Sequence, residues 1–291
     1  MLFAAGYQTL FQRFEWNLLA AQFFAARESP YVIFAENGNG AAIIPACLRS
    51  ATGTISFLGE ELFDYRDYLA VGDPAALEAA WDELAELDLP FEVSALRGKK
   101  ALARWARMSP HFFCHAPSAS PQRPPERKDM LALRRLLRRG AVIQQHSPGD
   151  RQLVTWLYEQ KGQQNGGSLF ADPLRRAFME EAVQLPCSQC EIFTLELEGN
   201  ILAALVTFLD GRCRRFYTTY FDERWAKSSP GYALLCEVSK RTLAGNLAYD
   251  FMTGEQSYKT RLAGELVPLY RIPPQKIMWR SREEAGNLAV A

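Results

Sequence analysis

EIFTLELEGNILAALVTFLDGRCRRFYTTY, running from Glu191 to Tyr220, holds the key to the fold. It reads as three consecutive strands, Glu191–Leu197, Ile201–Leu209 and Arg214–Tyr220. The connections Glu198-Gly199-Asn200 and Asp210-Gly211 have tight-turn chemistry, so the three strands form an antiparallel meander. Downstream, SSPGYALLCEVSKRTLAGN predicts a turn and a helix over Tyr232–Ala244. A strand over Leu247–Met252, a helix around Glu255–Leu262 and a strand over Leu266–Arg271 follow. Beyond Pro273 no apolar period remains, which predicts a loosely held tail. Upstream lie a basic helix (Asp129–Arg139), a strand (Ala141–Gln145) and a helix over Gly149–Gln163 with Leu153, Trp156 and Leu157 inward. Another helix covers Arg175–Gln184.

A seam precedes this half. APSASPQRPPE, Ala116 to Glu126, carries prolines at 117, 121, 124 and 125, and proline suits neither a helix interior nor a central strand. On its other side, Trp16, Leu19, Phe23 and Phe24 recur at helical spacing within Glu15–Ala26. Apolar runs at Tyr31–Ala35, Ala41–Leu48 and Thr54–Leu58 read as strands. The first two are joined by ENGNG (Glu36–Gly40), a hairpin signal because Asn-Gly accepts positive φ. Pro74–Leu87 is a helix with Asp73 as its cap and Pro74 in its first position. Phe91–Leu96 follows as a strand and Lys99–Arg107 as a helix. The pattern predicts an α/β (α+β) protein of two domains, each a mixed, mainly antiparallel sheet flanked by helices. The boundaries are 1–116, a linker at 117–126, a second domain at 127–275 and a tail at 276–291.

Composition narrows the function classes. The 291 residues carry 33 basic and 33 acidic side chains, with 48 % hydrophobic residues, which excludes a disordered chain and a highly charged nucleic-acid tail. Residues 1–120 carry 9 basic and 14 acidic side chains and the remainder 24 and 19, a small bias towards an anionic ligand in the second half. The longest apolar run, Ile201–Leu209, is far short of the ~20 residues of a membrane-spanning helix. The N-terminus shows no signal-peptide pattern, so a cytoplasmic location and reduced thiols are expected. Cys187 and Cys190 have metal or redox spacing, but no second Cys/His pair follows. With three histidines in the chain, no metal is expected. The basic run Arg134–Arg139 reads as a solvated helix face.

FYTTYFDERWAKSSPGYALL and AYDFMTGEQSYK resemble the C-terminal part of the acetyltransferase family associated with cellulose and exopolysaccharide synthesis. That family lies in the GNAT-like acyl-CoA N-acyltransferase superfamily and is related to the FemAB aminoacyltransferases. FEWNLLAA, AIIPACLR and FDYRDYLAV resemble its N-terminal half. The resemblance implies tandem GNAT-like domains, the first degenerate and the second carrying an acyl-CoA site. It implies transfer of an acyl group, acetyl in the simplest case, from acyl-CoA to an amine of a sugar or cell-envelope precursor. A FemAB-like aminoacyltransferase with a tRNA partner, and a non-catalytic binding subunit, are the alternatives. No DNA partner is expected.

GNAT enzymes bind the pyrophosphate of coenzyme A on backbone N–H groups leading into a helix. Laid on that pattern, Ser228, Ser229, Gly231, Tyr232 and Ala233 are the cofactor-binding candidates. Gly231 and Ala233 fill the small positions, and Ser228 stands where Gln or Arg is usual. Arg224 and Lys227 lie just upstream as possible phosphate contacts. The ordinary reading of the same residues is a capped turn. Asp250 is expected to orient substrate or act as base, and Tyr258 to protonate the leaving thiolate. Lys259 is expected to be an exposed cation that neutralises phosphate or a substrate carboxylate, with Tyr217 and Asp222 as further substrate contacts. A helix cap, a packed tyrosine and a solvated lysine would explain the same residues without chemistry.

Overall fold

A computed structural model describes residues 9–96, 112–117, 124–164, 168–254, 256–262 and 266–276. The chain divides into two compact units: residues 1–12, 20–112 and 270–291 in one, 13–19 and 113–269 in the other. The main change of unit falls between Phe112 and Phe113. The expected helix Lys99–Arg107 and most of the linker lie outside the described residues.

In the first unit, β1 (Glu28–Asn37) and β2 (Gly40–Arg49) form a hairpin in full register from Glu28↔Arg49 to Asn37↔Gly40. β3 (Thr54–Phe57) continues antiparallel to β2, and β4 (Leu69–Gly72) pairs with the turn end of β2. Helix α2 (Pro74–Glu86) starts as its sequence dictates: the Asp73 carboxylate accepts from the Ala75 N–H at 2.9 Å and Pro74 follows. Ala80, Trp81 and Leu84 of α2 pack on Ile44, Phe57, Phe91 and Val93 to make the core. β5 (Pro90–Leu96) runs parallel to β3, and β6 (Phe112–Pro117) is the next described strand in the chain.

The C-terminal strand departs from expectation. Leu266–Lys276 forms one long strand, β12, that pairs antiparallel with β5, Tyr270 opposite Leu96 and Lys276 opposite Pro90. It runs through Pro273 and Pro274, where a loose tail was expected. The register shifts between Ile272 and Gln275, and such an irregularity accommodates prolines that cannot donate to a ladder. The second half of the sequence thus supplies a strand to the first sheet.

In the second unit the meander forms as read. β8 (Cys190–Leu197), β9 (Asn200–Asp210) and β10 (Cys213–Phe221) are successive antiparallel neighbours, with Gly199 and Gly211 at positive φ in the turns. β7 (Val142–His146) pairs with β8, and β11 (Ala248–Asp250) lies parallel to β10 at the opposite edge. The order is β11-β10-β9-β8-β7. Helices α3 (Leu131–Arg138) and α6 (Pro230–Ala244) cover one face, where Leu133, Leu136, Leu234 and Val238 meet Leu195, Leu205 and Phe216. Helices α4 (Arg151–Gln163) and α5 (Pro173–Ala182) complete the unit, and α7 (Ser257–Leu262) follows β11. The opening turns of α1 (Phe14–Phe23) belong here too: Trp16 is buried, donates from Nε1 to Ser188 Oγ at 2.9 Å and meets Phe208 edge-on. No helix of the described residues is long and apolar enough to cross a membrane. Both sheets are mixed and flanked by helices, as the sequence predicts.

Candidate functional site

The meander and its crossover strand part company at one point. β10 and β11 pair over three residues only, Cys213–Arg215 against Ala248–Asp250. β10 then runs on to Phe221, whereas β11 stops. A bulge sits at the parting: Phe216 faces Thr207 and Thr218 faces Val206, so the register with β9 skips Tyr217. Bulges bend a strand and raise its twist, which carries β10 away from the line of β11. The crossover α6 begins after this same end of β10. In sheets with parallel strands, ligands gather beyond the carboxyl ends, where the connections diverge.

The start of α6 is suited to an anion. Asp222 caps a short 3-10 helix, Glu223–Ser228, and Ser229 then turns through φ 49°, ψ 51°, the left-handed region. Ser229 makes no side-chain cap, and Pro230 has no N–H to offer. Among the described residues the Gly231 and Tyr232 N–H groups have no acceptor, while Ala233 N–H already bonds to Ser229 O at 3.0 Å. Two donors at the positive end of a fifteen-residue helix dipole therefore remain available. Gly231 is buried, and a Cβ there would touch the Phe221 side chain at 3.4 Å, an ordinary contact that a branched side chain would tighten. These features fit a pyrophosphate. The side chain of Tyr232 points elsewhere: its Oη donates to Asp129 Oδ1 at 2.7 Å, and burial together with that bond raises its pKa. Tyr232 thus anchors the helix start to the segment before α3, and Arg261 lies over its ring at 4.8 Å.

Asp250, expected as base or orienting group, sits in a buried ion-pair network. Arg215 Nη1 donates to Asp250 Oδ2 at 2.7 Å and Arg215 Nε to Asp210 Oδ2 at 2.8 Å, with all three side chains under 10 % exposed. Asp250 Oδ1 also accepts from the Met252 N–H at 2.8 Å. Held in this way the carboxylate positions the loop after β11, and a proton-accepting role would have to compete with a guanidinium. Sequence reasoning missed Arg215. Its signal was an arginine inside a strand of aromatic residues, flanked by an aspartate in the turn before it.

Lys259 is buried where an exposed side chain was expected. The side chain is 5 % exposed, and its ammonium donates to Met252 O at 3.3 Å and to Thr253 O. The first turn of α7 points the lysine back under the loop rather than into solvent. Met252 holds φ 60°, unusual for a side chain of its size, and the Asp250 and Lys259 bonds grip it from both sides. Tyr258 is half-buried with its ring edge-on to Phe251 at 5.8 Å, and burial pushes its phenol up to about 12. Burial thus holds the proton on the phenol more firmly than water would, which makes Tyr258 a weaker acid than an exposed tyrosine.

Asp222 behaves as a cap and ion-pair partner. It accepts from the Arg224 N–H at 2.9 Å and from the Arg224 guanidinium at 2.7–3.0 Å, and this bonding holds its carboxyl below the usual range. Arg224 is thereby engaged, leaving Lys227 as the nearer upstream cation. Tyr217 meets Phe208 edge-on at 5.4 Å. Among the described residues no cluster of three His, Cys, Asp or Glu side chains could hold a metal ion. A surface depression of about 350 Å³ lies along α4, lined by Arg151, Gln152, Thr155, Trp156 and Glu159. It shares no residue with the parting of β10 and β11, and the open donors and parted strands make the latter the better candidate.

Residues 126–260 match the family model described as an acetyltransferase (GNAT) domain. That span begins before α3 and ends within α7, so it covers the parted strands and the start of α6. Solved structures share the fold over nearly the whole chain. FemX is 10 % identical with a TM-score of 0.58, covering 99 % of this chain and 96 % of that one. The C-terminal domain of a putative lysylphosphatidylglycerol synthetase from Agrobacterium fabrum is 11 % identical with a TM-score of 0.57, over 88 % and 90 %. L-PGS from Bacillus licheniformis is 10 % identical with a TM-score of 0.56, over 94 % of each chain. At these identities the likeness is one of fold. No curated protein sequence matches the chain.

Proposed function

We propose that the chain transfers an acyl group from acyl-CoA, acetyl in the simplest case, to the amine of a small or cell-envelope acceptor such as an amino sugar. The observation that carries this reading is the pair of open N–H donors at Gly231 and Tyr232, set where β10 and β11 part. In this reading the start of α6 holds the pyrophosphate, and the gap between the strands admits the pantetheine arm. The amine nitrogen attacks the thioester carbonyl, the C–N bond forms and the C–S bond breaks. Tyr258 gives its proton to the departing thiolate, and the proton lost from the amine passes to solvent. The protein lowers the barrier chiefly by orientation. Asp250, Arg215 and Lys259 are positioning residues that fix the loop carrying the acid.

Gly231→Val tests the first part. It should weaken acetyl-CoA binding at least tenfold, about 1.4 kcal/mol, in isothermal titration on protein whose melting curve shows it folded. Unaltered affinity would remove the start of α6 from the site. Tyr258→Phe tests the second. Its ring packing on Phe251 survives, so the expected result is a fall in kcat of about a hundredfold with little change in KM. Equal kcat would make Tyr258 a packing residue.

A second reading has its own support. The likeness to FemX spans almost all of both chains, which favours a FemAB-like aminoacyl transfer from aminoacyl-tRNA. Absence of acetyl-CoA binding at millimolar ligand, together with binding of aminoacyl-tRNA, would select it.

A further inference from the structure

The basic helix α3 has an outer face that neither the core nor the proposed acyl-transfer site uses. Leu133 and Leu136 are its buried side chains, packed into the core beside α6. On the outside, Leu131, Arg134, Arg135 and Arg138 follow one another at i, i+3, i+4 and i+7, which places them on one stripe. Arg134, Arg135 and Arg138 are exposed and have no carboxylate within ion-pair distance among the described residues. Nearby negative charge is already spoken for. Asp129 is buried, accepting from Glu126 N–H and Tyr232 Oη, and Glu126 pairs with Lys128 at 3.0 Å.

Exposed aliphatic side chains accompany these cations, Leu131 on the stripe itself and Leu137 at its flank. Leu131 is 45 % exposed, Leu137 44 %, and Val142, which opens the next strand, 49 %. An RNA-binding face would be expected to add aromatic platforms for bases, and the stripe has none. Cations that reach headgroups beside leucines that enter the acyl boundary are the signature of a helix lying on an anionic lipid surface. We propose that the outer face of α3 docks the protein on an anionic lipid bilayer. The contact is peripheral: the leucines enter only as far as the headgroup boundary, and the helix stays packed on α6. This inference stands apart from the acyltransfer reading, since it needs neither donor nor acceptor.

The experiment is co-sedimentation of the full chain with phosphatidylcholine vesicles, with and without phosphatidylglycerol, at low and high salt. Binding is expected only to the phosphatidylglycerol vesicles, and it should weaken as salt rises. Each arginine at an anionic leaflet is worth roughly fivefold in partitioning, so Arg134→Gln, Arg135→Gln and Arg138→Gln combined should reduce binding on the order of a hundredfold. Leu131→Ser with Leu137→Ser should also weaken it, with melting temperatures of both variants near that of the parent because every changed side chain is exposed. Failure of the parent protein to sediment with phosphatidylglycerol vesicles overturns the proposal. So does full binding by the leucine variant, since the attraction would then be electrostatic alone, without leucines entering the headgroup boundary.

Discussion

Arg215→Leu is expected to destabilise the protein by about 3–5 kcal/mol, the largest effect of any single substitution considered. The guanidinium bridges two buried carboxylates, Asp210 and Asp250, through separate nitrogens. Leucine has a similar apolar volume, so packing is largely kept while two negative charges lose their shared partner in a low-dielectric setting. Arg13, 3.9 Å from Asp210, compensates only weakly. Lysine is not an adequate replacement, because a single ammonium does not reproduce the fork that reaches both aspartates. Urea unfolding measures the loss. The double variant Arg215→Leu with Asp250→Asn should lose less than the two single losses added together, since the second change removes one of the stranded charges. An Arg215→Leu protein within 1 kcal/mol of the parent would show that the network is not a structural hub.

Lys259→Ala should cost about 2–3 kcal/mol and loosen the loop after β11. The ammonium donates to the carbonyls of Met252 and Thr253, next to a residue held at positive φ, so its loss withdraws one of the two grips on that backbone. Lys259→Met separates the causes. It restores the apolar stem but not the donor, and should recover only the packing part of the loss. The checks are urea unfolding and amide hydrogen exchange around Met252, where faster exchange is expected in both variants. Under the acyltransfer reading kcat should fall as well, since the loop leads directly to Tyr258. A Lys259→Met protein as stable as the parent but weaker in anion affinity would return the residue to the ligand-facing role that its sequence position suggested.

Local chemistry made much of the fold legible. The Asn-Gly turn of the first hairpin, the Asp73-Pro74 start of α2 and the Gly turns of the meander each act within a few residues, so their structures follow from the residues themselves. A turn into α6 was legible for the same reason, although the helix starts at Pro230, two residues before the expected Tyr232, and Ser229 makes no side-chain cap.

Other features depended on distance through space. Nothing near Lys259 in sequence shows that α7 turns its side chain beneath residues 252 and 253. Arg215 gained its importance from Asp250, brought alongside by a parallel pairing that α6 makes possible. The destination of β12 was hidden as well, because its pattern specifies an extended strand but not which sheet edge receives it.

The sequence by itself determined most of the elements, the antiparallel meander, the turn into α6 and the basic outer face of α3. Those depend on periodicity, turn residues and caps, which act over a turn of helix or a pair of strands. Tertiary structure alone decided that β10 and β11 part after three residues, that Lys259 and Asp250 grip a loop instead of facing solvent, and that β12 joins the first sheet. Burial and charge pairing between residues far apart in the chain settle such questions, because whether a charged side chain meets water or another charge depends on what the folded chain places beside it.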